Sequence, residues 1–107
     1  EVPLEHQATQ YTLRGFFLLR AMMYTVYILQ SKTTGKTYVG QTSDLSKRLA
    51  QHNDPDCRFT LYTKRNKGPW VVIHTEQFAT RSEAMKREKQ LKTGAGREWI
   101  LNNVHSS

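Results

Sequence analysis

The stretch Tyr24–Thr42, YTVYILQSKTTGKTYVGQT, decides how the rest of the chain is read. Residues 24–29 are β-branched and aromatic, which suits a strand. Ser31 to Gly35 is polar and turn-forming, and residues 36–41 return as a second strand, so the stretch predicts a β-hairpin. Tyr27 and Tyr38 lie almost equally far from the middle of that turn. A simple antiparallel register therefore places them opposite each other or one place off, with rings that can share a face. The same stretch contains Gly35-Lys36-Thr37, the tail of a phosphate-binding loop. The reading fails on two counts. Gln30 stands where the loop needs its first glycine, and a strand follows where a helix should aim its N-terminus at the anion. Gly35-Lys36-Thr37 is a turn, and no nucleotide cofactor is expected.

Outward from the hairpin, Thr42-Ser43-Asp44 offers an N-cap for a helix reaching about His52, with Leu45 and Leu49 as its buried stripe. Asp44, Arg48 and His52 recur at i, i+4 and i+8 on one face. Arg58 to Gly68 reads as a loop with four basic residues, no acid and two aromatics. Such a mixture of charge and stacking surface suits single-stranded nucleic acid. Trp70 to Phe78 is a third strand. Thr80 and Glu83 form a capping box for a helix ending near Lys92, with Gly94 as its stop. A last helical segment spans Arg97 to Asn102. The order β-β-α-β-α-α predicts a small α+β domain, a three-stranded antiparallel sheet flanked by helices.

The composition narrows the function. The chain has 107 residues and a formal net charge of +7, so it suits one small domain with a polyanionic partner. Its single cysteine, Cys57, excludes an internal disulfide and a Cys-x-x-Cys zinc site, and the four histidines are scattered. No apolar run approaches the ~20 residues of a membrane span, and a cytoplasmic location is expected. Residues 1–22 differ from the rest and carry Phe16-Phe17-Leu18-Leu19. They read either as a largely disordered leader or expression remnant, or as a docked helix over residues 8–22. The first is favoured, since those apolar residues otherwise need a surface to cover. Residues 23–102 form the expected domain and 103–107 a tail.

One residue breaks the apolar pattern. Ala84, Glu88 and Leu91 are spaced i, i+4, i+7, which puts Glu88 on the buried stripe of its helix. An inward carboxylate needs a cation, donors or a proton. The plainer reading is a rim glutamate paired with Arg or Lys, and helical spacing alone favours it. Tyr27, Tyr38, Arg48 and His52 are each unexceptional singly; the set is what carries meaning.

Val26-Tyr27-Ile28, Tyr38-Val39-Gly40, Asp44-Leu45-x-x-Arg48-Leu49-x-x-His52 and Glu83-Ala84-x-x-x-Glu88-x-x-Leu91-Lys92 occur in order. Together they resemble the GIY-YIG nuclease superfamily, in particular its small stand-alone bacterial UPF0213 (YhbQ-like) branch. The resemblance implies metal-dependent hydrolysis of DNA phosphodiester bonds with one Mg²⁺ or Mn²⁺, on single-stranded or branched DNA, in repair or processing. It implies catalytic roles for Tyr27, Tyr38, Arg48 and His52, and a metal-binding role for Glu88. Lys47, Arg58, Lys64, Arg65 and Lys67 are the candidate nucleic-acid contacts. Two departures stand out. Gln41 occupies a position where some relatives carry lysine, and the late asparagine of the family has only Asn102 or Asn103 to match it. Two alternatives compete with the nuclease: a nucleic-acid-binding module without strong catalysis, and a protein-docking scaffold.

Overall fold

The computed structural model describes residues 23–57 and 61–104. The expectations for residues 1–22, for Arg58 and for residues 105–107 lie outside the described residues. Strands β1 (Tyr24–Ser31), β2 (Thr37–Thr42) and β3 (Trp70–Phe78) form an antiparallel sheet of order β2-β1-β3. Helices α1 (Leu45–Asn53) and α2 (Leu61–Arg65) separate β2 from β3, and α3 (Arg81–Leu91) and α4 (Gly94–Asn103) follow it.

The hairpin forms with a different register from the expected one. Tyr27 faces Gly40, and Tyr38 faces Leu29. The connection is centred between Thr33 and Thr34: Ser31 N–H donates to Lys36 O at 2.9 Å, which encloses Lys32 to Gly35. Gly35 takes φ 77°, a left-handed conformation that glycine adopts without steric cost. The Ser31 hydroxyl accepts from Thr33 N–H at 3.2 Å and Thr34 N–H at 3.1 Å, so the turn is organised around a buried serine. The shift of two residues preserves the face, and Tyr27 and Tyr38 still lie on the same side with ring centroids 6.2 Å apart.

Central β1 has a core on each side. Val26 and Ile28 pack with Val39, Ala84, Leu91 and Ile100 under α3 and α4. Tyr27 and Leu29 pack with Trp70, and Leu45 and Leu49 of α1 close over them. Val26, Ile28 and Leu29 are fully buried, each worth about 1.5–3 kcal/mol of transfer free energy. Between Ile28 and Leu29 the pairing to β3 slips, from Ile28 opposite His74 to Leu29 opposite Val72. Such a bulge adds one residue to β3. Val72 packs with the tyrosine core, whereas Ile73 and Phe78 pack with the other.

Two sequence expectations are corrected. The basic segment Arg58–Gly68 is not simply a loop, because residues 61–65 form α2. Gly94 does not stop α3. Lys92 is its C-cap, and Thr93 caps the next helix by accepting from Gly96 N–H at 3.1 Å, so α4 begins at Gly94 rather than Arg97. Thr80 caps α3 as expected, accepting from Glu83 N–H at 3.2 Å, while the Glu83 carboxylate accepts from the Thr80 hydroxyl at 3.1 Å.

A polar clamp joins β3 to the two last helices. Arg87 donates from Nε to Glu76 Oε1 at 2.9 Å and from Nη2 to Oε2 at 3.2 Å. Its guanidinium carbon also lies 4.7 Å from the centre of the Trp99 ring. His74 Nε2 reaches Glu76 Oε2 at 2.8 Å. Partial burial works against the Glu76 carboxylate, but Arg87 and His74 more than offset it and hold its pKa below the ordinary value. Its stabilisation is therefore present above the unfolded carboxylate range and lost as pH falls through the lower folded value. Replacing Glu76 with Gln should cost about 1–3 kcal/mol at pH 7. In urea unfolding across pH, the gap between wild type and variant should narrow only below about pH 4.5, as expected for an ordinary carboxylate range.

Candidate active site

The site lies where the tyrosine face of the sheet meets α1. Asp44 caps α1 by accepting from Lys47 N–H at 3.1 Å, which fixes the helix start and hence the directions of Arg48 and His52. Leu45 and Leu49 are only half-buried; the residue of α1 that is fully enclosed is His52, at 2 % exposure. Helical spacing alone would leave such a histidine at the surface; the packing of the fold encloses it.

A buried imidazole must satisfy both nitrogens. His52 Nε2 lies 2.8 Å from the Tyr27 hydroxyl, and Nδ1 lies 2.9 Å from Thr63 Oγ1. Burial, and then the nearby charges of Arg48 and Lys64, lower the His52 pKa from 6.5 to about 4. The ring is neutral at physiological pH. Tyr27 is only 1 % exposed. Burial raises its pKa, Tyr38 and Glu88 add to the rise, and Arg48 opposes it. Tyr27 is therefore a neutral phenol. Burial lowers the pKa of Arg48, but hydrogen bonding and charge from Tyr27 and Tyr38 outweigh it and give a net rise. Arg48 also donates from Nη1 to Gln51 Oε1 at 3.1 Å.

Gly40 makes room for this arrangement. A Cβ there would lie 2.5 Å from the Tyr27 hydroxyl oxygen and 2.9 Å from Tyr38 Cε1. The glycine of Tyr38-Val39-Gly40 therefore gives the Tyr27 hydroxyl its space. Tyr38 sits 4.8 Å from His52 and 5.6 Å from Tyr62, ring centre to ring centre. Tyr62, 42 % exposed, extends the aromatic surface outward.

Glu88 comes from α3. Its side chain is 21 % exposed, and Oε1 accepts from Lys92 Nζ at 3.0 Å. It has the paired cation that the plainer sequence reading anticipated, and its charge still acts on the Tyr27 hydroxyl. Among the described residues, no three His, Cys, Asp or Glu side chains cluster as a metal cage. A lone carboxylate does not suit zinc. It does suit a hard divalent ion such as Mg²⁺, which commonly keeps several waters and uses one or two carboxylates with substrate phosphates. Asn103 donates to Trp99 O at 2.9 Å at the exposed end of α4.

The basic candidates are not gathered on one surface. Lys47 and Arg48 line a polar cleft of about 570 Å³ with Gln41, Thr42, Asp44 and Arg81. There Gln41 Oε1 is buried with no hydrogen-bond partner among the described residues. Lys64 and Lys67 line a separate groove beside Trp70. The Lys64 ammonium donates to Gln51 O at 2.8 Å and His52 O at 2.9 Å, satisfying carbonyls at the end of α1. Arg65 is exposed on α2. Thr63, Lys92 and Tyr62 were not singled out by sequence reasoning. Thr63 carries no signal that spacing alone would reveal, whereas Lys92, four residues after Glu88, is the cation that helical spacing predicts.

The lowered His52 pKa has a thermodynamic consequence. Between the unfolded value of 6.5 and the folded value of about 4 the unfolded chain binds more protons, so stability rises with pH across that window. Replacing His52 with Gln should flatten the slope in that window. Urea unfolding at a series of pH values, with histidine resonances followed by NMR, checks this; a His52 midpoint near 6.5 would contradict it.

No helix among the described residues is long and apolar enough to cross a membrane. The sequence matches the GIY-YIG catalytic domain over residues 23–99. It is 40% identical over 70 residues to a UPF0213 protein of Halobacterium salinarum, covering 65% of this chain and 86% of that one. It is 39% identical over 74 residues to a UPF0213 protein of Enterococcus faecalis, covering 66% and 82%. The structure-specific endonuclease subunit SLX1 of Chaetomium globosum is 36% identical over 88 residues, covering 79% of this chain but 24% of that protein. A solution structure of the UPF0213 protein BH0048 from Bacillus halodurans is 30% identical, with a TM-score of 0.45, covering 76% and 84%. With the domain matched over most of its length, the chain belongs to the GIY-YIG family.

Proposed function

We propose that this protein is a divalent-metal-dependent DNA endonuclease whose active site is formed by Tyr27, Tyr38, Arg48, His52 and Glu88. The observation that carries the reading is the buried hydrogen bond between Tyr27 and a neutral His52, beside a guanidinium and a carboxylate. A packed core has little use for these four chemistries together, whereas phosphodiester hydrolysis uses each. The endonuclease name of the SLX1 relative supports the same class.

Arg48 would fork onto non-bridging phosphate oxygens and stabilise charge that builds in the transition state. Glu88 would hold Mg²⁺ or Mn²⁺, which when bound stabilises charge on the phosphate and leaving oxygen. The ammonium of Lys92 would move from Glu88 toward the substrate. Tyr27 cannot act as a free phenolate. It can take a proton from the attacking water only while passing its own proton to His52 Nε2. With His52 near 4, charging it at pH 7 costs about 4 kcal/mol in the resting site. A bound phosphate brings negative charge that offsets Arg48 and Lys64, so the relay becomes competent when substrate is present. Tyr38 would position the water from the more open side of the site.

Lys47, Arg48 and Arg81 in the polar cleft support a path for a DNA backbone, and exposed Tyr62 offers an unpaired base a stacking surface. These features favour single-stranded or branched DNA; repair or processing in the cytoplasm is the setting we propose for that activity. Arg58, Arg65 and Lys67 would add diffuse attraction.

Nicking of labelled single-stranded, duplex and branched DNA with Mg²⁺, Mn²⁺ or EDTA tests the reading. Cleavage should require the metal and fall about 100-fold or more in Glu88→Ala, with circular dichroism confirming that the variant folds. Absence of cleavage on every substrate, with DNA binding unchanged in Glu88→Ala, would instead make the protein a nucleic-acid-binding module.

A further inference from the structure

We propose that Thr63 is a positioning residue that selects the Nδ1–H tautomer of His52 and so leaves Nε2 free to accept the Tyr27 proton. A neutral imidazole carries one N–H, and the other nitrogen accepts. Two arrangements fit the two contacts. In one, His52 Nδ1–H donates to Thr63 Oγ1 and the Tyr27 O–H donates to Nε2. In the other, Thr63 donates to Nδ1 and Nε2–H donates to Tyr27.

Arg48 breaks the tie. A guanidinium only donates, and the positive charge of Arg48 acts on the Tyr27 hydroxyl, opposing the rise that burial gives its pKa. A phenol beside such a cation turns its oxygen lone pairs toward it, so its own proton is best placed on His52 Nε2 at 2.8 Å. The ring proton then belongs on Nδ1, where Thr63 Oγ1 waits at 2.9 Å.

Thr63 is held firmly enough to do this. It is 5 % exposed. Its carbonyl accepts from Trp70 Nε1 at 3.1 Å, and the next residue, Lys64, is fastened to the carbonyls of Gln51 and His52. The short helix α2, which the sequence presents as a basic loop, therefore forms the back wall of the imidazole. Thr63 touches no reacting atom; it acts through His52.

The catalytic part of this inference rests on the nuclease reading, but the tautomer does not. Nitrogen-15 NMR of His52 in the DNA-free protein should show a neutral ring protonated at Nδ1. Thr63→Val, which keeps the shape and removes the hydroxyl, should erode that preference, and Thr63→Ser should restore it. Cleavage of single-stranded DNA should drop about 10–100-fold in Thr63→Val and recover in Thr63→Ser. A wild-type ring protonated at Nε2 would overturn the proposal without any variant, so it stays testable even if Thr63→Val does not fold. An unchanged Nδ1–H signature in folded Thr63→Val would overturn it equally. The Nδ1–H tautomer responding to Thr63 in a protein that cleaves nothing would retain the positioning role and remove the nuclease.

Discussion

A histidine sealed between a sheet and a helix must have both ring nitrogens answered, and that requirement organises the polar half of this protein. Tyr27 answers one nitrogen from the central strand and Thr63 answers the other from α2. Three elements that are separate in sequence are thereby fixed to one ring. Leaving either nitrogen without a partner in so buried a place would cost about 1–3 kcal/mol. The position of α1 is set by the same contact, and with it the direction of Arg48. The two cores on either side of β1 supply the bulk of the stability, while this hydrogen-bonded seam gives the site its geometry.

The electrostatics of the seam point outward. Arg48 and Lys64 both depress the proton affinity of His52, and the carboxylate contributed by α3 is already matched by Lys92. The resting site is thus short of negative charge, which a phosphate would supply. A chain with a formal net charge of +7 would draw such a ligand in, and the local arrangement would then use it. Long-range charge and short-range geometry favour the same partner.

Much of this was legible in the sequence. The strands, the order of the main helices and the capping box follow from β-branched runs, turn residues and short cap signatures. The shared face of Tyr27 and Tyr38 survived an error in register because the error was an even number of residues. The turn centre could not be read, since it depends on the buried Ser31 hydroxyl gathering the loop amides. The bulge in β3 was equally hidden, because WVVIHTEQF alternates too weakly to show where a residue is added. Helix α2 was missed because its short span is fastened by Lys64 and Trp70, both tertiary contacts. Thr63 was invisible as a site feature for the same reason: spacing places residues on a face but does not say what the face meets.

On this reading Glu88 and the tyrosine–histidine seam work as one catalytic unit and not as neighbouring structural features. Single-turnover DNA cleavage by Tyr27→Phe, Glu88→Gln and the two combined separates these cases. Groups acting as one unit are strongly non-additive, so the double variant should be little slower than the worse single one. Losses that multiply, or a Tyr27→Phe variant as fast as wild type, would rule the unit out.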